Sequence, residues 1–340
     1  MRTWKPALAC LLAVLAAACG GSPTQPDGSA PGLPVSGAVF YDENGNGVLD
    51  PGEAVRLPSV TVSVGSKTAQ TADGGHFTVQ DVPTGTQPAS VQPSSLPAYF
   101  TPGAAVSVTV PQNGELAVPA ALPIGPGEHP NAYSAFGDSI TCGDGSSGGG
   151  YRDLLADHLR KYWGKADISN DCLSGSKSRV GEARIGAVLS QHRPAYVLIL
   201  YGTNDFNDSG CRADPGSCFT VDALRSMIEK TRDQGAMPVL GTIPPVNPDY
   251  VDRNAEERNA WVSEMNTLVR QMAAQERVAV AEIHGNFLKQ PSLSALFADD
   301  KHPNDAGYQL IAQSFFDALT RPVGTTASVH ARLPFRLGPF

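Results

Sequence analysis

"AFGDSITCGDGSSGGGYRDLL", residues 135–155, carries three overlapping glycine–serine patterns. The fold turns on which of them is chemically real. Gly143-Asp144-Gly145-Ser146-Ser147-Gly148 fits G-x-G-x-x-G, a loop that cradles a dinucleotide pyrophosphate, with Asp167 or Asp171 as the distant acid. Gly145-Ser146-Ser147-Gly148-Gly149 fits G-x-S-x-G, an elbow that exposes a nucleophilic serine. Gly137-Asp138-Ser139-Ile140 is a third candidate, a serine just past an apolar segment. The first two patterns work only directly after a strand. Phe136 ends the apolar run, and Gly143 lies seven residues later, beyond a polar stretch. No G-K-[ST] follows, so a phosphate-binding P-loop fails as well. Ser139 lies three residues past Phe136, where a strand would deliver it to a sheet edge. The glycine run behind it reads as a mobile loop leading into a helix, tied back through Cys142.

On both sides of this stretch the pattern is regular. Strand-like "NAYSAF", "ADISND", "AYVLILY", "MPVLGTI" and "VAVAEI" alternate with helix-like "YRDLLADHLRKYWG", "RVGEARIGAVLSQHR", "VDALRSMIEKTRDQG" and "RNAEERNAWVSEMNTLVRQMAAQER". "NDAGYQLIAQSFFDALTR" supplies a last helix. Such alternation predicts a parallel sheet between layers of helices, a three-layer α/β/α fold. Chemistry in such folds lies past the carboxyl ends of the strands. The strand-end segments hold Gly137-Asp138-Ser139, "CLSGSKS" with Gly175, "YGTND" with Asn204, and "DDKHPN" with Asp299 and His302.

A serine hydroxyl needs a base to act as nucleophile at neutral pH. Of seven histidines, only His302 follows an acid by three residues in a loop facing that edge. Asp299 suits Nδ1 of the ring, leaving Nε2 for Ser139. Asp300 competes for the same role, and spacing does not separate the two. Attack on an acyl carbonyl builds an oxyanion that preorganised donors must hold. The Ser139 N–H, the Gly175 N–H and the Asn204 amide are the candidates.

"FGDSIT", "LSGSKS", "YGTND" and "DDKHPN" together resemble the four blocks of the SGNH, or GDSL, hydrolases, over residues 131–321. The second block is the weakest match. The resemblance implies a flavodoxin-like three-layer sheet and an esterase or lipase acting through an acyl-enzyme. It makes Ser139 the nucleophile, His302 and Asp299 the base and its orienter, and Ser139, Gly175 and Asn204 the oxyanion hole. It implies no catalytic cofactor. Carbohydrate esterases, lipases, lysophospholipases and thioesterases all occur in the family. A surface binding protein with an auxiliary hydrolase domain is the rival reading.

The rest of the 340-residue chain speaks of location. Arg2 and Lys5 precede an apolar run from Ala7 to Ala18, the pattern of a secretory signal. Ala16, Ala17 and Ala18 before Cys19 resemble a bacterial lipobox. That resemblance implies cleavage after residue 18, a lipid on Cys19, and a place at the outer membrane or cell surface. Net charge is −8, and losing Arg2 and Lys5 without any acid makes it −10. No basic run remains for nucleic acid. Cys142, Cys172, Cys211 and Cys218 then remain for an oxidising compartment, with three pairings open. The short loop "CRADPGSC" favours Cys211–Cys218, which leaves Cys142–Cys172.

Residues 19–34 read as a tether, 35–122 as a small β-sandwich of short strands, 123–130 as a linker and 322–340 as a tail of unassigned role. Within the β-rich part, "DENGNGVLDPGE" matches D-x-[DN]-x-[DN]-G-x5-E at Asp42, Asn44, Asn46, Gly47 and Glu53. Calcium is a hard cation with six to eight oxygen ligands. Side chains of Asp42, Asn44, Asn46, Asp50 and Glu53, with the Val48 carbonyl, supply that chemistry. Residues 35–64 resemble the B-type repeats of bacterial surface adhesins, which implies a structural calcium.

Overall fold

A computed structural model describes residues 31–322 of the chain. The expected signal segment, the Cys19 lipid site, most of the tether and nearly all of the tail lie outside the described residues.

The first part comprises β1 (Leu33–Tyr41), β2 (Thr61–Val64), β3 (Lys67–Gln70), β4 (His76–Val82), β5 (Gly85–Val91), β6 (Thr101–Pro102), β7 (Val106–Val110) and β8 (Leu116–Ala121). They form two four-stranded sheets, ordered β4-β1-β8-β6 and β3-β2-β5-β7. The second is antiparallel throughout, whereas β1 and β8 run parallel. Alternation drives this part: Val35, Val39, Val62, Val64, Val79 and Val91 are all buried. β5 contains Pro88, which lacks the N–H a central strand needs. Pro88 pairs with Ser107 on β7, and on the β2 side its carbonyl accepts from Gly65 N at 2.7 Å.

The second part comprises β9 (His129–Gly137), α1 (Ser139–Cys142), α2 (Tyr151–Trp163), β10 (Asp167–Asn170), α3 (Ser178–His192), β11 (Pro194–Leu200), α4 (Ser209–Ala213), α5 (Thr220–Gln234), β12 (Met237–Gly241), α6 (Ala255–Glu276), β13 (Ala279–Ala281), α7 (Ile283–Leu288) and α8 (Asp305–Thr320). All five strands pair in parallel, in the order β10-β9-β11-β12-β13. This is the doubly wound order, with its switch point beside the first strand. β11 is buried at every residue, as a strand covered on both faces must be. No helix among the described residues is long and apolar enough to cross a membrane.

The two parts share one continuous apolar core, reaching from Val35 and Val118 to Tyr196 and Phe315. Their contacts fall at the beginnings of the parallel strands and the ends of the helices. Tyr99 reaches across with its hydroxyl, donating to Pro238 O on β12 and accepting from Ala279 N on β13. Asn131 Nδ2 at the start of β9 donates to Glu43 Oε1 at 2.6 Å. Arg56 N donates to Trp163 O at the end of α2, and Phe100 lies edge-on to the Trp163 ring. Gly125 N donates to Gly235 O, just past α5. The opposite edge, where the strands end, is left to the serine and histidine loops.

In the loop from Asp42 to Glu53 the Asp42 carboxylate accepts from the Gly45, Asn46 and Gly47 amides. Asp50 accepts from the side-chain amides of Asn44 and Asn46, and Glu53 from the Glu43 and Asp50 N–H groups. Asp42 and Glu53 are buried, and the loop's side chains are oxygen-rich. Among the described residues, no three His, Cys, Asp or Glu side chains are grouped to hold a metal. The expected ligand set combines the carboxylates of Asp42, Asp50 and Glu53 with two asparagines and the Val48 carbonyl.

Candidate active site

β9 ends at Gly137, and the chain turns at once into α1. A Cβ at Gly137 would lie 2.0 Å from Thr141 Oγ1 and 2.5 Å from Leu200 O, so only glycine permits this turn. Asp138 caps α1 by accepting from Ile140 N at 3.0 Å. Ser139 therefore stands on a fixed one-turn helix, 4 % exposed, past the end of β9.

The His302 ring lies beside it. Nε2 is 2.9 Å from Ser139 Oγ, and Nδ1 is 2.7 Å from Asp299 Oδ2. With the proton placed on Nδ1, Nε2 accepts the serine hydroxyl. Asp299 Oδ1 also accepts the His302 and Lys301 amides, which holds the loop as one turn. Burial acts to raise the Asp299 carboxyl, but the His302 ring and these two amides outweigh it and hold it below the usual carboxylate range. Asp300 turns away to pair with Lys301, so Asp299 is the one of the two acids that contacts the His302 ring.

Gly175 sits in the loop after β10 with φ +74°, the left-handed region. A Cβ there would meet nothing within 4 Å, so this glycine answers a backbone need in an open space. Asn204 follows β11 and is 5 % exposed. Its Nδ2 donates to Ser176 O at 3.1 Å and to Asp138 Oδ2 at 3.2 Å. The Asn204 amide is thus held by the loop after β10 on one hand and by the neighbour of Ser139 on the other.

Two buried acids were missed by sequence reasoning. Burial pushes the Asp138 carboxyl up to about 7, with Asp205 and Asp144 adding to the rise and the Ile140 amide opposing it. Asp205 is also raised by burial, against hydrogen bonds from Ser178 and Thr220. It joins the Asn204 segment to the start of α3. Both acids stand inside motifs already noted, "GDS" and "GTND", but their side-chain partners Asn204, Ser178 and Thr220 lie 66, 27 and 15 residues away in sequence.

Disulfides join Cys142 to Cys172 and Cys211 to Cys218. The glycine run is not free chain. Ser146 and Ser147 are bound to Asp305, at the start of α8. Ser147 Oγ contacts a carboxylate and not a histidine, which closes the G-x-S-x-G reading.

A GDSL-like lipase/acylhydrolase family model matches residues 135–310. The chain belongs to the GDSL-like lipase/acylhydrolase family. Over 107 residues it is 34% identical to thioesterase 1/protease 1/lysophospholipase L1 of Escherichia coli K12, covering 31% of this chain and 47% of that protein. It is 35% identical over 103 residues to an arylesterase of Vibrio mimicus, covering 30% and 48%. The chain spans about half the length of these curated relatives. Similar solved structures include a lipase/acylhydrolase from Enterococcus faecalis, 19% identical with TM-score 0.46, covering 56% of this chain and 95% of that one. A catalytic mutant of an acetylxylan esterase from Geobacillus stearothermophilus is 22% identical with TM-score 0.46, covering 60% and 99%.

Proposed function

We propose that this protein is an exported serine esterase that works through an acyl-enzyme. The observation that carries the reading is the unbroken chain Ser139 Oγ, His302 Nε2, His302 Nδ1, Asp299 Oδ2, with links of 2.9 and 2.7 Å. Ser139 Oγ attacks the ester carbonyl as His302 Nε2 takes its proton. Asp299 holds the ring and stabilises the imidazolium. The Ser139 and Gly175 N–H groups and the Asn204 amide receive the oxyanion. The charge that develops is a strong acceptor and draws an Asn204 N–H from its resting partners. His302 returns the proton to the leaving alcohol, and water activated by the same ring releases the acid.

The substrate we favour is an acylated extracellular carbohydrate. The support is locational: a signal-like start, Cys19 in a lipobox-like setting, and a β-rich first part resembling adhesin repeats. The thioesterase, lysophospholipase and arylesterase names of the partial relatives keep lipid and thioester substrates as the alternative. We further propose that the first two sheets form a β-sandwich, that lipid on Cys19 anchors the chain at the outer membrane or cell surface, and that Asp42, Asn44, Asn46, Val48, Asp50 and Glu53 hold a structural calcium. A melting temperature that rises with calcium and falls with chelator supports the last point; one that ignores both defeats it.

The deciding experiment is hydrolysis of p-nitrophenyl acetate, followed by a panel of acetylated glycans, lysophospholipids and thioesters. Loss of turnover in Ser139→Ala and His302→Ala is expected. Undiminished turnover in both variants would overturn the assignment.

A further inference from the structure

The segment just past the nucleophile, residues 142–147, is fastened on two sides. On the Gly175 side, the Cys142–Cys172 disulfide and a hydrogen bond from Ser174 Oγ to Asp144 Oδ2 tie it to the loop after β10. On the His302 side, Asp305 accepts from Ser146 Oγ at 2.6 Å, from Ser147 N at 2.9 Å and from Ser147 Oγ at 2.5 Å. Both carboxylate oxygens are engaged, and bonds to an ionised acceptor are the stronger kind. Tyr308 Oη, one turn further along α8, donates to Asp144 O at 2.8 Å. Between these bonds Gly145 passes the histidine loop at φ +90°. A Cβ there would stand 2.7 Å from Pro303 O and 3.0 Å from His302 Cβ. The backbone of the glycine run therefore lies directly against the catalytic-loop main chain.

We propose that Ser146, Ser147 and Asp305 form a clasp that sets the position of His302 relative to Ser139, with Gly145 as the bearing surface. This rests on the esterase reading above and deepens it. Ser139 is carried by β9 and His302 by the loop before α8, 163 residues apart in sequence. The serine–histidine bond alone cannot hold two such elements in register, since it must break and reform in every turnover. The clasp, beside the Tyr308–Asp144 bond and the Gly145 contact, adds links that take no part in proton transfer. All three are positioning residues acting through His302.

The test compares Ser146→Ala/Ser147→Ala with Ser147→Thr and Asp305→Ala, using p-nitrophenyl acetate and NMR of the His302 ring. The double variant leaves α8 intact, so it separates alignment from helix stability. Misalignment approaching 1 Å costs about a hundredfold in rate, and partial loosening is expected to lower kcat about tenfold. KM and melting temperature should stay close to wild type, and Ser147→Thr, which keeps the hydroxyl, should recover most of the loss. In the NMR spectrum the His302 Nδ1 proton, sharp in wild type, should broaden in the double variant. Unchanged kcat and an unchanged His302 resonance would overturn the clasp. If wild type hydrolyses no ester, the functional reading fails, and the His302 resonance alone decides the clasp.

Discussion

Replacing Tyr99 by phenylalanine removes one oxygen atom and tests whether the two parts of the molecule fold as one. That hydroxyl bridges the starts of two parallel strands, donating to Pro238 O and accepting from Ala279 N at 3.0 Å. Its loss strands one carbonyl and one N–H in a partly buried contact. Each unsatisfied group costs about 1–3 kcal/mol, and partial burial favours the low end, so about 2–3 kcal/mol is expected in all. Unfolding entropy near about 2.1 cal/mol/K per residue, over roughly 290 described residues, makes this a fall of about 4 °C in melting temperature. Calorimetry should show one transition before and after. Esterase kinetics should change less than about twofold, because Ser139 lies at the other edge of the sheet. A melting temperature that does not move, or a melt that splits in two, would refute the idea that the parts share a core.

Three further outcomes are expected. Asp138 keeps a proton in the folded state up to about pH 7, whereas the unfolded chain releases it near its ordinary value of 3.8. The folded state binds more protons across that window, so stability falls as pH rises through it, by up to about 4 kcal/mol. Asp138→Asn has no proton to lose, and its melting temperature relative to wild type should climb between pH 5 and pH 8; parallel curves would contradict this. Gly175→Ala meets no atom but forces a left-handed alanine, costing about 1–2 kcal/mol. It should fold with a small thermal loss yet lose about tenfold or more in kcat, as relaxation of φ moves an oxyanion donor; wild-type kcat would remove Gly175 from the site. Cys142→Ala/Cys172→Ala opens a loop of sequence separation 30, with an expected stability loss of about 3–4 kcal/mol by denaturant titration and a fall in kcat greater than any change in KM.

The parallel sheet was legible because its strands are apolar runs with helical spacing between them. "AYVLILY" lies on β11, and "NAYSAF" on β9. Ser139, Gly175, Asn204 and His302 could be named as candidates because each lies in a segment after a strand or before the last helix. The acid was readable only to a choice of two neighbours, since spacing says nothing of which carboxylate turns inward. The role of Ser146 and Ser147 was beyond reach. Their partner, Asp305, is 159 and 158 residues away and reads locally as an ordinary acid in a helix's first turn. Local rules explain a residue by its neighbours in sequence, and these serines have their meaning across the fold.

The contacts of Tyr99, Asn131 and Trp163, made at the beginnings of strands and the ends of helices, also bear on how such a protein can change. Loops at the chemical edge can lengthen, shorten or trade side chains without disturbing the contacts that join the two parts. Mutations that erode the foundation would lower the amount of protein while leaving its selectivity alone. Mutations at the far edge would redirect selectivity at little expense in yield. A comprehensive substitution scan scored for both abundance and turnover should therefore sort into two nearly separate populations, an arrangement that leaves new substrates open to exploration from a secure footing.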